Sequence, residues 1–194
     1  MHRSASGFAL LLLCLGIIPG ILFSSCASTY IPYPADTPLN PEPFLSRGNF
    51  FTGRTPQGWF YASQDTLAEG LVAWVVRQDF GAALAVKELH LDPLTVKRVQ
   101  KEGLNLLASA SLSFQSIETK KLEVDLYPKE FTIKNRKYSA YEFSEGVVHK
   151  RVIVFSSGGK YFECLATPMK GVWTLEETTR LFSAQQAFVA SLVF

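Results

Sequence analysis

The spacing of apolar positions changes along this chain, and each change predicts an element. Phe8 to Phe23 is an apolar run broken by Gly16, Pro19 and Gly20. A spanning helix wants about 20 unbroken apolar residues, so the run reads as the hydrophobic part of a secretion signal. Ala27 to Phe50 then holds Pro32, Pro34, Pro38, Pro41 and Pro43, half of the chain's 10 prolines. That density rules out a helix or a central strand and predicts an extended, semi-stiff tether. At about 3.1 Å per residue it would reach up to roughly 70 Å.

The folded domain is expected from Phe51. Pro56-Gln57-Gly58 is a turn leading into Trp59-Phe60-Tyr61. Leu71 to Arg77 reads as a buried strand, Asp79-Phe80-Gly81 as a turn, and Ala83 to Leu91 as the antiparallel partner. Asp92-Pro93 opens a helix, an N-cap aspartate with proline in the first helical position. Val96, Val99, Gly103, Leu106, Leu107 and Ala110 give it one apolar face, ending around Ser111 to Ser116. Gly103 costs about 1 kcal/mol of helix propensity, which close approach to a sheet would explain.

From Lys121 the period becomes two. Leu122, Val124, Leu126, Phe131 and Ile133 predict one strand or a bent pair. Tyr138 to Phe143, Val147 to Phe155 and Lys160 to Ala166 follow, joined by turns too short for anything but an antiparallel meander. Thr174-Leu175-Glu176-Glu177 is a capping box. Leu181, Phe182, Gln185, Phe188, Val189 and Leu192 mark the buried face of the helix it opens. The expected fold class is α+β, an antiparallel sheet covered by two amphipathic helices.

Two resemblances sharpen this outline. Leu22-Phe23-Ser24-Ser25-Cys26-Ala27 resembles the lipobox of bacterial lipoproteins, although the family prefers Leu, Val or Ile where Phe23 stands. The resemblance implies cleavage before Cys26 and a diacylglycerol on its thiol. The other readings are an ordinary secretion signal cut nearby and an uncleaved anchor. Ala27 stands where an aspartate would mark inner-membrane retention in enteric bacteria, so the resemblance implies an outer-membrane anchor facing the periplasm. The chain thus divides into a signal (1–25), a lipidated cysteine with a Pro-rich tether (26–50) and one domain (51–194).

The order of elements from Pro56-Gln57-Gly58-Trp59 to Phe188-Val189-Ala190-Ser191-Leu192-Val193-Phe194 resembles the Mog1/PsbP-type α/β/α sandwich. That class includes photosystem extrinsic subunits, a Ran-binding factor and many small bacterial lipoproteins. It implies a non-catalytic binding or assembly protein over residues 51–194. No metal- or partner-contacting residue carries over.

Composition narrows function mainly by exclusion. With 13% aromatic and 19% charged residues the chain is globular. A net charge of +2 gives no electrostatic case for nucleic acid. Cys14 leaves with the signal and Cys26 is blocked by lipid, so Cys164 has no disulfide partner. Sharing strand parity with Phe162 and Ala166, it reads as a buried small hydrophobe rather than a nucleophile beside His149.

His90 and His149 fall on separate predicted strands, too few for a zinc site, and no cofactor motif occurs. Ser157-Gly158 lies in a hairpin turn without the pattern of a nucleophile elbow. Glu123, Asp125, Glu130, Glu142, Glu145 and Glu163 read as the wet face of the sheet. Trp59, Phe60 and Tyr61 are the candidate partner contacts, since aromatics are favoured in binding hot spots. Phe60 should point opposite to its two neighbours.

The reading is a membrane-anchored, exported binding or assembly protein with a protein partner in the envelope and no enzymatic activity. The alternative is a cell-envelope hydrolase with a site built from loops. Replacing Cys26 by serine is expected to abolish anchoring without unfolding the domain, leaving only uncleaved precursor in the membrane fraction. Mature Cys26→Ser protein that still sediments with membranes overturns the lipid assignment. On the same reading a chain beginning near Phe50 folds by itself.

Overall fold

The computed structural model describes residues 33–62, 67–119 and 121–194, so the signal, Cys26 and its flanks lie outside the described residues. Among the described residues nine strands and three α-helices follow in chain order. They are β1 (Leu39–Leu45), β2 (Thr52–Pro56), β3 (Trp59–Tyr61), β4 (Leu71–Arg77), β5 (Ala82–Leu89), α1 (Pro93–Glu102), α2 (Leu104–Glu118), β6 (Leu122–Ile133), β7 (Arg136–Glu145), β8 (Val148–Ser157), β9 (Lys160–Pro168) and α3 (Leu175–Ser191).

Seven strands form one antiparallel sheet in the order β3-β4-β5-β9-β8-β7-β6, and β1 pairs with β2 in a separate hairpin. Period two along β7, β8 and β9 sorts the core into two halves. Tyr138, Ala140, Ile153, Phe155, Phe162, Cys164 and Ala166 meet α3 on one face. Tyr141, Phe143, Val152, Val154 and Tyr161 meet Val99, Leu107, Ala108 and Leu112 of α1 and α2 on the other. The result is an α/β/α sandwich, of the α+β class expected.

Local signals explain the helix ends. Asp92 accepts hydrogen bonds from the backbone N–H groups of Leu94 and Thr95, with Pro93 inside the first turn. Thr174 and Glu177 close the capping box, Glu177 N–H donating to Thr174 Oγ1 at 3.2 Å and Thr174 N–H to Glu177 Oε2 at 2.8 Å.

Two expectations need correction. The helix from Pro93 does not run on to Ser111; Gly103, at φ 90° and ψ 177°, breaks it into α1 and α2. Only glycine takes that conformation readily, and a Cβ there would stand 2.5 Å from Glu130 Oε1 on β6. Gly103 is a hinge between helices rather than a notch within one.

The tether expected over 26–50 is corrected from Tyr33 onward, its first seven residues lying outside the described residues. Leu39–Leu45 is strand β1, and Phe44 stacks on Tyr61 at 4.3 Å and on Phe188 at 6.1 Å. Tyr33 already packs edge-on against Phe182 at 5.3 Å. Prolines exclude a central strand, but among the described residues β1 pairs only with β2, and its register slips between Leu39 and Pro43. The domain therefore takes in residues 33–50 as well, and a chain beginning near Phe50 loses part of its core.

The hairpin also explains why α3 is buried more broadly than one face: every residue from Leu181 to Val189 is buried. The sheet packs on one side of the helix, and β2 contacts it as well.

Trp59 retains 7% exposure and belongs to the α3-side core. Trp59→Ala is expected to destabilise the domain by about 3–5 kcal/mol, read as a lowered midpoint in urea denaturation. An unchanged midpoint would place the indole outside the core.

Candidate functional site

Among the described residues the core contains one fully buried cation. Arg151 on β8 is 0% exposed, and the register sets it directly opposite Glu142 on β7. Both lie in phase with core residues of their strands, Arg151 with Ile153 and Phe155, Glu142 with Tyr138 and Ala140. Arg151 Nε stands 3.6 Å from Glu142 Oε1. Its other nitrogens donate to Gln186 Oε1 at 2.9 Å, to Gln185 Oε1 at 3.3 Å and to the Phe182 carbonyl at 3.4 Å. The rings of Tyr33 and Phe131 lie 4.7 and 5.8 Å from the guanidinium carbon. Gln185 Nε2 donates back to the carbonyls of Arg151 and Cys164, fastening α3 to the sheet.

Next along the same face, β7 and β8 pair Ser144 with His149, and Asp125 on β6 joins them. Ser144 donates its hydroxyl to Asp125 Oδ2. His149 Nδ1 stands 3.0 Å from Ser144 Oγ and 3.1 Å from Asp125 Oδ2. Asp125, Glu142 and His149 line a cavity of about 300 Å³ with Tyr33, Trp173, Thr178 and Phe182. Glu142 Oε1 and Thr178 Oγ1 are buried with no hydrogen-bond partner in the protein. Convergent polar groups in a concave site mark it as the candidate binding site.

Burial drives the Glu142 carboxyl above the usual glutamate range. The Arg151 charge and the Tyr33 hydroxyl, donating to Oε2 at 3.2 Å, oppose that shift. Cys164 is fully buried, and burial pushes its thiol up to about 12, too high for a thiolate nucleophile at neutral pH.

The acids read as one wet face do not share a face or an environment. Helices cover both sides of the sheet, so Glu142 is enclosed with Arg151, while Glu163 faces α2. There Glu163 accepts from Ser111 Oγ at 2.7 Å, and Ser111 Oγ lies 2.8 Å from Tyr141 Oη.

Of the aromatic triplet, Trp59 is core and Tyr61 is stacked on Phe44. Phe60 points the other way and is 38% exposed, edge-on to Phe80 at 5.8 Å. His90 lines grooves away from His149. Among the described residues no group of three or more His, Cys, Asp or Glu side chains is placed to hold a metal ion.

This architecture is a Mog1/PsbP-like fold. The chain resembles the solution structure of cyanobacterial PsbP (CyanoP) from Synechocystis sp. PCC 6803 with a TM-score of 0.52 at 13% identity, over 88% of this chain and 98% of that one. A crystal structure from Bacteroides thetaiotaomicron matches at TM-score 0.38 and 15% identity, over 78% of this chain and 47% of that one. LpqN, involved in cell envelope biogenesis of Mycobacterium tuberculosis, matches at TM-score 0.41 and 14% identity, over 72% and 79%. No protein-family model and no curated protein sequence matches the chain. At such identity the likeness to CyanoP is one of fold alone.

Because its folded-state affinity for the proton is raised, Glu142 contributes less to stability as pH rises from the ordinary glutamate range through its folded value. Carbon-13 NMR is expected to show its carboxyl titrating above the exposed glutamates. Tyr33→Phe should move it higher still by removing a hydrogen bond to the ionised form. A downward or absent shift in Tyr33→Phe contradicts the role given to that hydroxyl.

Proposed function

We propose that this is an exported, lipid-anchored protein that binds or assembles other components in the cell envelope and has no catalytic activity of its own. The lipobox-like Leu22 to Ala27 supports the anchor, and the outer membrane is the side that Ala27 favours. The observation that carries the non-catalytic reading is how the polar groups of the cavity engage one another. Ser144, His149 and Asp125 have the composition of a hydrolytic triad without its geometry. A triad places histidine between nucleophile and acid and uses both ring nitrogens. Here one nitrogen faces both partners, and the serine hydroxyl is spent on the aspartate.

Arg151 is likewise engaged by Glu142, Gln185 and Gln186. Such a centre holds a shape and offers a small polar cavity. The protein-contact role of the aromatic triplet falls to Phe60, the most exposed of the three.

A fluorophosphonate probe separates this reading from a hydrolase. The full chain in its native membranes is expected to remain unlabelled. Stoichiometric labelling at Ser144, abolished by Ser144→Ala or His149→Ala, would establish the hydrolase instead.

A further inference from the structure

The corrected domain boundary changes where the anchor holds the domain. Cys26 precedes Tyr33, the first described residue, by only seven positions, so even a fully extended chain spans about 25 Å between them. Tyr33 is pinned, hydrogen bonded to Glu142 and packed on Phe182. The end of the sheet at which Tyr33 sits must therefore lie close to whatever surface holds Cys26.

That end carries unusual side chains. Three segments meet there: the β7–β8 turn, the β4–β5 turn, and the loop from β9 into α3. The Met169 N–H donates to the Gly81 carbonyl at 2.8 Å, tying the loop to the β4–β5 turn. Trp173 is turned inward, its Nε1 donating to the Lys170 carbonyl and its ring lying under Arg77. With Trp173 held, its neighbours point out: Val172 is 77% and Leu175 85% exposed. Met169 in the same loop and Val147 in the β7–β8 turn are exposed too. Single exposed apolar side chains need no explanation. Four on adjacent loops at one end of a sheet, beside the point where the chain enters, form a patch.

We propose that this end of the domain, with Val147, Met169, Val172 and Leu175 foremost, rests on the lipid bilayer. The proposal rests on the lipidated Cys26 of the preceding reading. The occupant follows from chain length: a lipid thiol within about 25 Å of Tyr33 keeps this end of the domain next to the acyl chains. The apolar side chains then enter the interface and hold the domain in one orientation, adding a second attachment to the lipid. The cavity lined by Tyr33, Asp125 and His149 opens near the headgroups.

The test uses the full lipidated chain, reconstituted into phosphatidylethanolamine–phosphatidylglycerol vesicles. Val172→Cys and Leu175→Cys are labelled with an environment-sensitive nitrobenzoxadiazole dye. On the same reading Cys26 is blocked, and Cys164 is fully buried, so the introduced thiol is the one that reacts. Leu94→Cys is the control, equally apolar and 73% exposed. It follows β5, which ends at Leu89 opposite Tyr161, at the far end of the sheet.

Dye at 172 and 175 is expected to show blue-shifted emission that is lost when nitroxide-bearing acyl chains are included, with neither effect at 94. Emission at 175 as in water, or equal at 175 and 94, overturns the proposal. A blue shift that the nitroxides fail to quench identifies a protein contact, with a partner or a second copy, and overturns it as well. Mass spectrometry of the N-terminal peptide separates the two levels. Cys26 without lipid overturns the anchor and with it this inference, whereas lipidated Cys26 with unquenched dye overturns the inference alone.

Discussion

Burying a guanidinium is the constraint on which this fold turns. An ion removed from water costs several kcal/mol unless charge and hydrogen bonds replace its hydration, and Arg151 is completely enclosed. Its partners come from separate parts of the chain: Glu142 from the neighbouring strand, Gln185, Gln186 and the Phe182 carbonyl from α3, and the ring of Tyr33 from the N-terminal side. Meeting that one requirement fixes the register of β7 on β8, the rotation of α3 over the sheet and the seat of the incoming chain. Removing a partner from such a group typically costs 3–5 kcal/mol. Nonpolar packing could drive the layers together, but this set of directional contacts selects one arrangement of them.

Much of the architecture was legible because local signals agreed with the global fold. Asp92-Pro93 and the Thr174–Glu177 box mark helix starts by mechanism, and Phe162, Cys164 and Ala166 disclose their common face by parity. The buried ion pair was legible in principle by the same parity rule. Arg151 is in phase with Ile153 and Phe155, and Glu142 with Tyr138 and Ala140, so each charge stands where a core side chain belongs. Reading the acids by type, as a solvated set, hid this. Register is what the sequence could not supply, since only pairing brings Glu142 opposite Arg151 and Ser144 opposite His149. The split at Gly103 was hidden for a related reason: the apolar periodicity continues across it, and the φ of 90° that calls for a residue without a Cβ leaves no trace in that periodicity.

The Pro-rich segment shows how a sound local rule can yield the wrong boundary. Pro38, Pro41 and Pro43 do bar residues 38–43 from a central strand, but an edge hairpin needs fewer donors. Tyr33, Phe44 and Phe50 were the contrary signal, since large aromatics at that density are costly to leave in solvent. In the structure all three pack on the α3-side core. The far terminus depends on the same hairpin: Thr52 and Val193 exchange backbone hydrogen bonds at 2.8 and 2.9 Å, and Arg136 Nη1 donates to the Leu192 carbonyl at 2.7 Å. The first and last described segments thus close over α3 together.

On the lipid anchor proposed above, this closure would replace a loose tether by a geometric constraint. A spacer of roughly 70 Å lets a domain turn freely, and no face of it is then favoured toward the membrane. With residues 33–50 folded, only seven positions separate Cys26 from Tyr33, and on the lipid anchor proposed above the point of entry would decide which end of the domain lies nearer the membrane. Entry occurs beside Glu142 and Arg151, at the end where Val172 and Leu175 stand exposed. The aromatic ring that packs over the buried cation also belongs to the first described residue after Cys26. One side chain, Tyr33, therefore serves the buried charge and, on the anchor proposed, would also set which end of the domain faces the membrane.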